Sequence, residues 1–196
     1  MVSFSIFKLC SAFAVLLTAQ TSAPWRELPN QLRQSLRYPL LCAGIRVGHS
    51  TDSQVVQRFG KGLFLEDEGH GGGRYYTDTA RKVTLHVEIG PGSVIESLQY
   101  QRGIYLRGAP GPDALRRAVS QALSAHEQVQ PNIALGTSPR RLIRLFGRPL
   151  RTRRHGDQLA VVYETDYNMT RDIIDYKAEF RFVRGRLTYV DIENGE

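Results

Sequence analysis

Along VTLHVEI the apolar residues Val83, Leu85, Val87 and Ile89 alternate with Thr84, His86 and Glu88. Period two with β-branched residues predicts a half-buried strand. Gly90-Pro91-Gly92 predicts a turn, and SVIESLQY (93–100) a return strand. Late in the chain Tyr176, Ala178, Phe180 and Phe182 alternate with Lys177, Glu179 and Arg181; Arg184-Gly185 then turns and LTYVDI (187–192) returns. Helical spacing appears elsewhere. After Pro112-Asp113, with Asp113 as N-cap or first-turn acid, Leu115, Ala118, Val119, Ala122 and Leu123 predict one amphipathic helix. Leu28, Leu32 and Leu36 predict another, stopped near Tyr38-Pro39. Two shorter helices are expected at 51–59 and 138–146. Ser50 or Thr51 caps the first, Ser138 caps the second with Pro139 in its first turn, and Gly60 and Gly147 end them.

The two short helices carry an internal repeat. IRVGHSTDSQVVQRFGKG (45–62) aligns with IALGTSPRRLIRLFGRP (133–149), Phe59-Gly60 falling on Phe146-Gly147 at an offset of 87 residues. Val55 and Val56 then match Leu142 and Ile143, and Gly48 matches Gly136 after one inserted residue. Each copy continues into an aromatic or short strand segment, Arg74-Tyr75-Tyr76 in the first and Leu159 to Tyr163 in the second. Two alternating strands follow. In the second copy ETDYNMTRDI (164–173) reads as an excursion between strands. The expected fold class is α+β: two tandem helix–helix–antiparallel-sheet units at 24–110 and 111–196, behind a signal peptide at 1–23.

The helix running from Gly136-Thr137-Ser138-Pro139 to Phe146-Gly147-Arg148-Pro149 resembles that of the SmpA/OmlA outer-membrane assembly lipoproteins and the β-lactamase-inhibitor-protein-like proteins. The resemblance implies an exported protein that binds other proteins or stabilises envelope assemblies. The first copy departs from the pattern, with an extra residue after Gly48 and Gly62 where the second has Pro149. Lys8 stands in the place where a lipid-attachment motif around Cys10 needs a small or apolar residue. The inhibitor-like proteins carry disulfides, so inhibition of a β-lactamase is not implied.

The first residues refine the picture. One lysine, the apolar run LCSAFAVLLTAQ and the small residues Thr21 and Ala23 read as a secretory signal, and the run is short for a membrane anchor. The expected location is periplasmic or secreted, in a bacterium. Removing this segment removes Cys10 and leaves Cys42 alone among Leu40, Leu41, Ala43 and Ile45, a buried thiol with no disulfide partner. The formal charge is +7 and almost wholly arginine, because Lys8, Lys61, Lys82 and Lys177 are the only lysines. An exported basic chain suits a protein or an anionic cell-envelope component as partner, without nucleic acid and without a membrane span after processing.

Catalytic patterns are weak. The five histidines make no close ligand set, so no metal and no cofactor is expected. His86 and Glu88 share a strand face. Glu164 and Asp166 form a carboxylate pair, which keeps a hydrolase with a carboxylate-lined cleft as an alternative. Ser120 and Ser124 fall on the predicted helix with no base beside them. Glu66, Asp67, Glu68 and His70, followed by Gly71-Gly72-Gly73, read as a hairpin loop and a secondary contact site. The main surface signal is Arg140, Arg141, Arg144, Arg148, Arg151, Arg153 and Arg154 with Tyr163 and Tyr167, residue types favoured in interfaces. The expected function is non-enzymatic binding through that surface; a structural role in envelope assembly or maintenance is the nearest alternative.

Overall fold

The elements follow local chemistry. In the computed structural model, residues 26–27, 41–67, 71–104, 112–124, 126–127, 129, 133–169 and 172–195 are described. The first strands are β1 (Arg26–Glu27), β2 (Leu41–Cys42) and β3 (Ile45–Arg46). Helix α1 (Asp52–Phe59) starts where Gln54 Oε1 accepts the Thr51 N–H at 3.0 Å. Strands β4 (Leu63–Asp67), β5 (Gly71–Asp78), β6 (Val83–Ile89) and β7 (Ile95–Arg102) form an antiparallel meander. Helix α2 (Pro112–Ala118) is followed by α3 (Pro139–Phe146), where Ser138 Oγ accepts the Arg141 N–H at 3.4 Å. Strands β8 (Arg151–His155), β9 (Gln158–Met169), β10 (Asp172–Val183) and β11 (Arg186–Gly195) complete the chain.

The expected fold class is overturned. In place of two helix–helix–sheet units of an α+β protein, the chain is mostly antiparallel sheet. Nine strands join in the order β1-β8-β9-β10-β11-β7-β6-β5-β4, and β2 pairs with β3 apart from them. The joint is β7 against β11, with Leu98 opposite Ile192 and Tyr100 opposite Val190. Each of these strands would otherwise end its own sheet with open backbone groups. Pairing them satisfies those groups and merges two apolar faces into one core.

The two short helices stand where they were expected, but one of the longer ones is cut short. The one expected at Leu28 to Leu36 lies outside the described residues. The one begun at Pro112 stops at Ala118 because the chain there joins β5: the Ser120 N–H donates to Thr77 O at 3.0 Å, and Ser120 Oγ donates to Phe59 O at 2.7 Å. Ser120 and Ser124 therefore lie beyond the helix. Conversely, the strands are longer. Gly71-Gly72-Gly73 is part of β5, not of a loop, and the excursion 164–173 is mostly strand in β9 and β10. The glycines suit close neighbours: a Cβ at Gly72 would meet the Phe64 ring at 2.4 Å, and one at Gly73 the His86 Nε2 at 2.6 Å.

One sheet face carries the core. Leu85, Leu98, Tyr100, Val190, Phe180 and Val161 are fully buried there, covered by Val55 and Phe59 of α1 and Leu142 of α3. At the β4–β5 end the opposite face is covered by α2, through Leu63, Tyr75, Ala114 and Ala118. Local geometry around α1 and α3 matches. Gly60 and Gly147 have φ +86° and +78°, where glycine is the least strained residue. Tyr76 Oη donates to Gly60 O and Tyr163 Oη to Gly147 O, both at 2.9 Å. Gly48 N–H reaches Ile95 O at 2.7 Å, and Gly136 N–H reaches Leu187 O at 2.8 Å. Both hairpins carry a register shift, between Glu88 and Ile89 in β6 and between Arg181 and Phe182 in β10.

Candidate functional site

Between Glu127 and Asp157 the chain has seven arginines and no acidic residue. Helix α3 and strand β8 distribute them. Successive helical residues turn about 100°, so burying Leu142 and packing Phe146 on the sheet turns Arg140, Arg141 and Arg144 outward, and all three are exposed. The docking is fixed by ring contacts of Phe146 with Tyr163 and Phe180, both at 5.7 Å. Ile143 and Leu145 stand on opposite flanks of the arginine row and are 39% and 49% exposed. Among the described residues, no ion pair holds Arg140, Arg141 or Arg144.

Strand β8 divides the remaining arginines between two faces. Arg154 is opposite Leu159 and Thr152 opposite Val161, which places Arg154 on the core side with α3. Arg151 is opposite Val162 and Arg153 opposite Ala160, on the other side. The cluster is thus no flat patch: it wraps the edge of the sheet. Arg151 lies 3.5 Å from Glu164, an exposed pair, worth little on its own. Arg148 is exposed in the link between α3 and β8. Among the described residues β1 lies beyond β8, with Arg26 opposite Arg154 and Glu27 opposite Arg153 in the register.

Other expected residues are placed differently. Tyr163 is fully buried, and burial pushes its phenol above the ordinary range. It is an anchor for the end of α3, not a surface residue. Tyr167 and Asp166 belong to β9, but their side chains lie outside the described residues, as do Glu68 and His70 altogether. Glu66 is exposed near the end of edge strand β4, and Asp67 closes that strand. Glu88 accepts from Ser97 Oγ at 2.7 Å, and His86 is buried and stacked on Tyr75 at 4.1 Å. Among the described residues no three His, Cys, Asp or Glu side chains form a group fit for a metal ion.

Sequence reasoning missed two features. The apolar residues of α3 look like core, whereas helix geometry leaves two of them outside. Asp191 is the other. It is buried on the polar sheet face and accepts from Tyr189 Oη at 2.9 Å, while Oδ1 has no partner. Burial, with Glu193 and Glu179 alongside, raises its carboxyl to about 6. The signal for it is the acidic residue in LTYVDI, a segment expected only as a return strand.

The sequence matches no protein-family model and no curated protein. Two solved structures are similar. One is a DUF4309 family protein (YjgB) from Bacillus subtilis, at 14% identity and a TM-score of 0.40, covering 78% of this chain and 83% of that one. The other is a putative beta-lactamase inhibitor protein from Streptococcus mutans, at 9% identity and a TM-score of 0.27, covering 84% of this chain and 90% of that one. At these values neither likeness assigns an activity or a binding residue to this chain.

Proposed function

We propose that this chain is an exported, non-enzymatic binding protein that holds a partner protein through α3 and the basic edge at β8. The observation that carries the reading is the arrangement of α3, an exposed row of three arginines with an apolar residue on each flank. Arginine offers a planar fork to carboxylates, and exposed apolar residues beside it supply area to bury. Ile143 and Leu145 are about 200° apart around the helix axis. A flat lipid surface meets one side of a helix, whereas a partner with an acidic concavity meets the arginine row and both flanks. No helix among the described residues is long and apolar enough to cross a membrane. The matched arrangements around α1 and α3 support reading 24–110 and 111–196 as two copies of one unit, of which the second carries the contact surface.

The test is capture from a bacterial cell-envelope extract by the purified chain, beside a variant with Arg140→Glu, Arg144→Glu, Arg151→Glu and Arg154→Glu. A defined protein held by the wild type and lost by the variant is the expected result. Equal capture by both would remove the site, and the edge at β4 would become the surface to examine.

A further inference from the structure

We propose that the polar sheet face holds a second binding site, at Asp191, and that it takes a primary ammonium group, the end of a lysine side chain of a bound protein. The site lies on β10 and β11 and uses none of the arginines of α3 and β8, so it stands or fails separately from the reading above. Asp191 has Glu179 opposite it on β10 and Gln99 opposite it on β7. The residue is 8% exposed, and its Oδ2 accepts the Tyr189 hydroxyl at 2.9 Å. Oδ1 is buried and has no hydrogen-bond partner. A buried carboxylate oxygen left without a donor is costly, and such atoms are uncommon.

The neighbouring charges neutralise one another. Lys177 Nζ donates to Glu193 Oε2 at 2.9 Å, and Arg181 Nε donates to Glu179 Oε1 while its guanidinium lies over the Tyr189 ring. Two cations thus answer two of the three carboxylates, and among the described residues no ion pair holds Asp191. The surrounding groups reach solvent. The side chains of Arg181, Lys177 and Glu193 are 46%, 44% and 43% exposed, so an arriving donor displaces flexible side-chain ends and no backbone. The single open oxygen also selects the donor. A guanidinium gains most from gripping both oxygens of a carboxylate, which the Tyr189 hydroxyl prevents. An ammonium is compact and needs one oxygen, and its other donors suit Gln99 and Glu179, whose Cβ atoms stand about 4.5–5.5 Å from that of Asp191. Lys177 on Glu193 shows the same chemistry two residues along β11.

Burial, with Glu193 and Glu179 alongside, holds the Asp191 carboxyl at about 6 against the pull of Tyr189 and Arg181. From β7 the uncharged Ser97 and Gln99 face this row, and His86, opposite Gln99 on β6, is stacked on Tyr75. Proton and ammonium therefore compete for one carboxylate. Binding is full above pH ~6 and falls about tenfold per unit below it.

The experiment follows the Asp191 carboxyl carbon by NMR in the purified chain, from about pH 4 to 8 at constant ionic strength. The probes are methylammonium, tetramethylammonium, and lysine and arginine blocked at both ends. A ligand that binds only the carboxylate, at about ten times its dissociation constant, lowers the midpoint by about one pH unit. Methylammonium and blocked lysine are expected to do so, and blocked arginine to shift it less at equal concentration. Tetramethylammonium, which has the charge and no N–H donor, is expected to leave it unchanged. Asp191→Asn, checked for cooperative urea unfolding, should lose the ligand-induced shifts of the Gln99 and Tyr189 amides. No midpoint shift with methylammonium up to about 0.1 M, or an equal shift with tetramethylammonium, overturns the site. A shift with methylammonium and none with blocked lysine overturns the lysine side chain as its source. A larger shift with blocked arginine overturns the one-oxygen geometry.

Discussion

Helices α1 and α3 share one frame and use it in opposite ways. Each is eight residues long, buries one apolar side chain at the same position (Val55, Leu142), and ends on a glycine whose carbonyl accepts a tyrosine hydroxyl. In α1 the polar residues are tied to the chain's own partners. Arg74 holds Asp52 through two bonds of 2.7 Å, and Arg58 reaches Glu127 at 3.0 Å while lying over Phe59. Its outward positions are Ser53, Gln54 and Gln57. In α3 those positions are Arg140, Arg141 and Arg144, while Pro139 replaces Asp52 and exposed Leu145 replaces Arg58. One helix is closed internally and the other is turned outward, so the frame gives stability in both and leaves the surface free to differ.

The strongest way to break the comparison is through the shared frame. Leu142→Ala is expected to cost about 2–5 kcal/mol and Val55→Ala about 2 kcal/mol in urea unfolding, because each removes a fully buried side chain under its helix. A large cost at one helix alone would show that the two are not docked alike. Asp52→Ala should cost about 1–3 kcal/mol, since it leaves the partly buried Arg74 guanidinium without its bidentate partner. Pro139→Ala, at the matching place, should change stability by well under about 1 kcal/mol, because no ion pair is lost there.

A pH scan separates the halves by chemistry. Asp191 stands directly opposite Gln99 across the β7–β11 joint. Its carboxyl is raised from 3.8 to about 6 by burial and by Glu193 and Glu179. The folded state therefore holds this proton more tightly than the unfolded chain. Its contribution to stability is complete below pH ~4 and is lost as pH rises through ~6. Asp191→Asn should flatten that part of the profile and raise stability at neutral pH, measured as the denaturation midpoint against pH. Tyr76→Phe and Tyr163→Phe should each cost about 1 kcal/mol by leaving a glycine carbonyl without its donor. The smallest stability effect is expected for Arg140→Gln, Arg141→Gln and Arg144→Gln together. This change gives α3 an outward face like that of α1, within about 0.5 kcal/mol of the parent, while envelope capture falls.

What the sequence made legible was local. The caps at Thr51 and Ser138, the stops at Gly60 and Gly147, and the alternation in 83–89 and 176–182 depend on neighbouring residues, and the structure has the helices and strands there. The union of strands into one sheet depends on β7 finding β11, an encounter that period two does not encode. Gly71-Gly72-Gly73 was opaque for another reason: glycine has no side chain to alternate, so its strand is visible only through the Phe64 and His86 groups packed over it. Of the site, the arginines were legible as charge. Their division between two faces was not, because it is set by the register of β8 on β9. Tyr163 shows the limit of residue-type reasoning, since the aromatic favoured at interfaces is here a buried post under α3.

The joint between β7 and β11 also has a consequence in time. Gln99 and Asp191 meet across roughly 90 residues of chain, whereas β6–β7 and β10–β11 each close a turn of a few residues. Loop closure costs more entropy as the intervening chain lengthens, so the hairpins zip first and the joint follows. The same line is then the first to part: amides along β7 and β11 that bond across it should exchange by an opening in which each hairpin keeps its own pairing. A molecule so arranged tears along a single seam before either side melts.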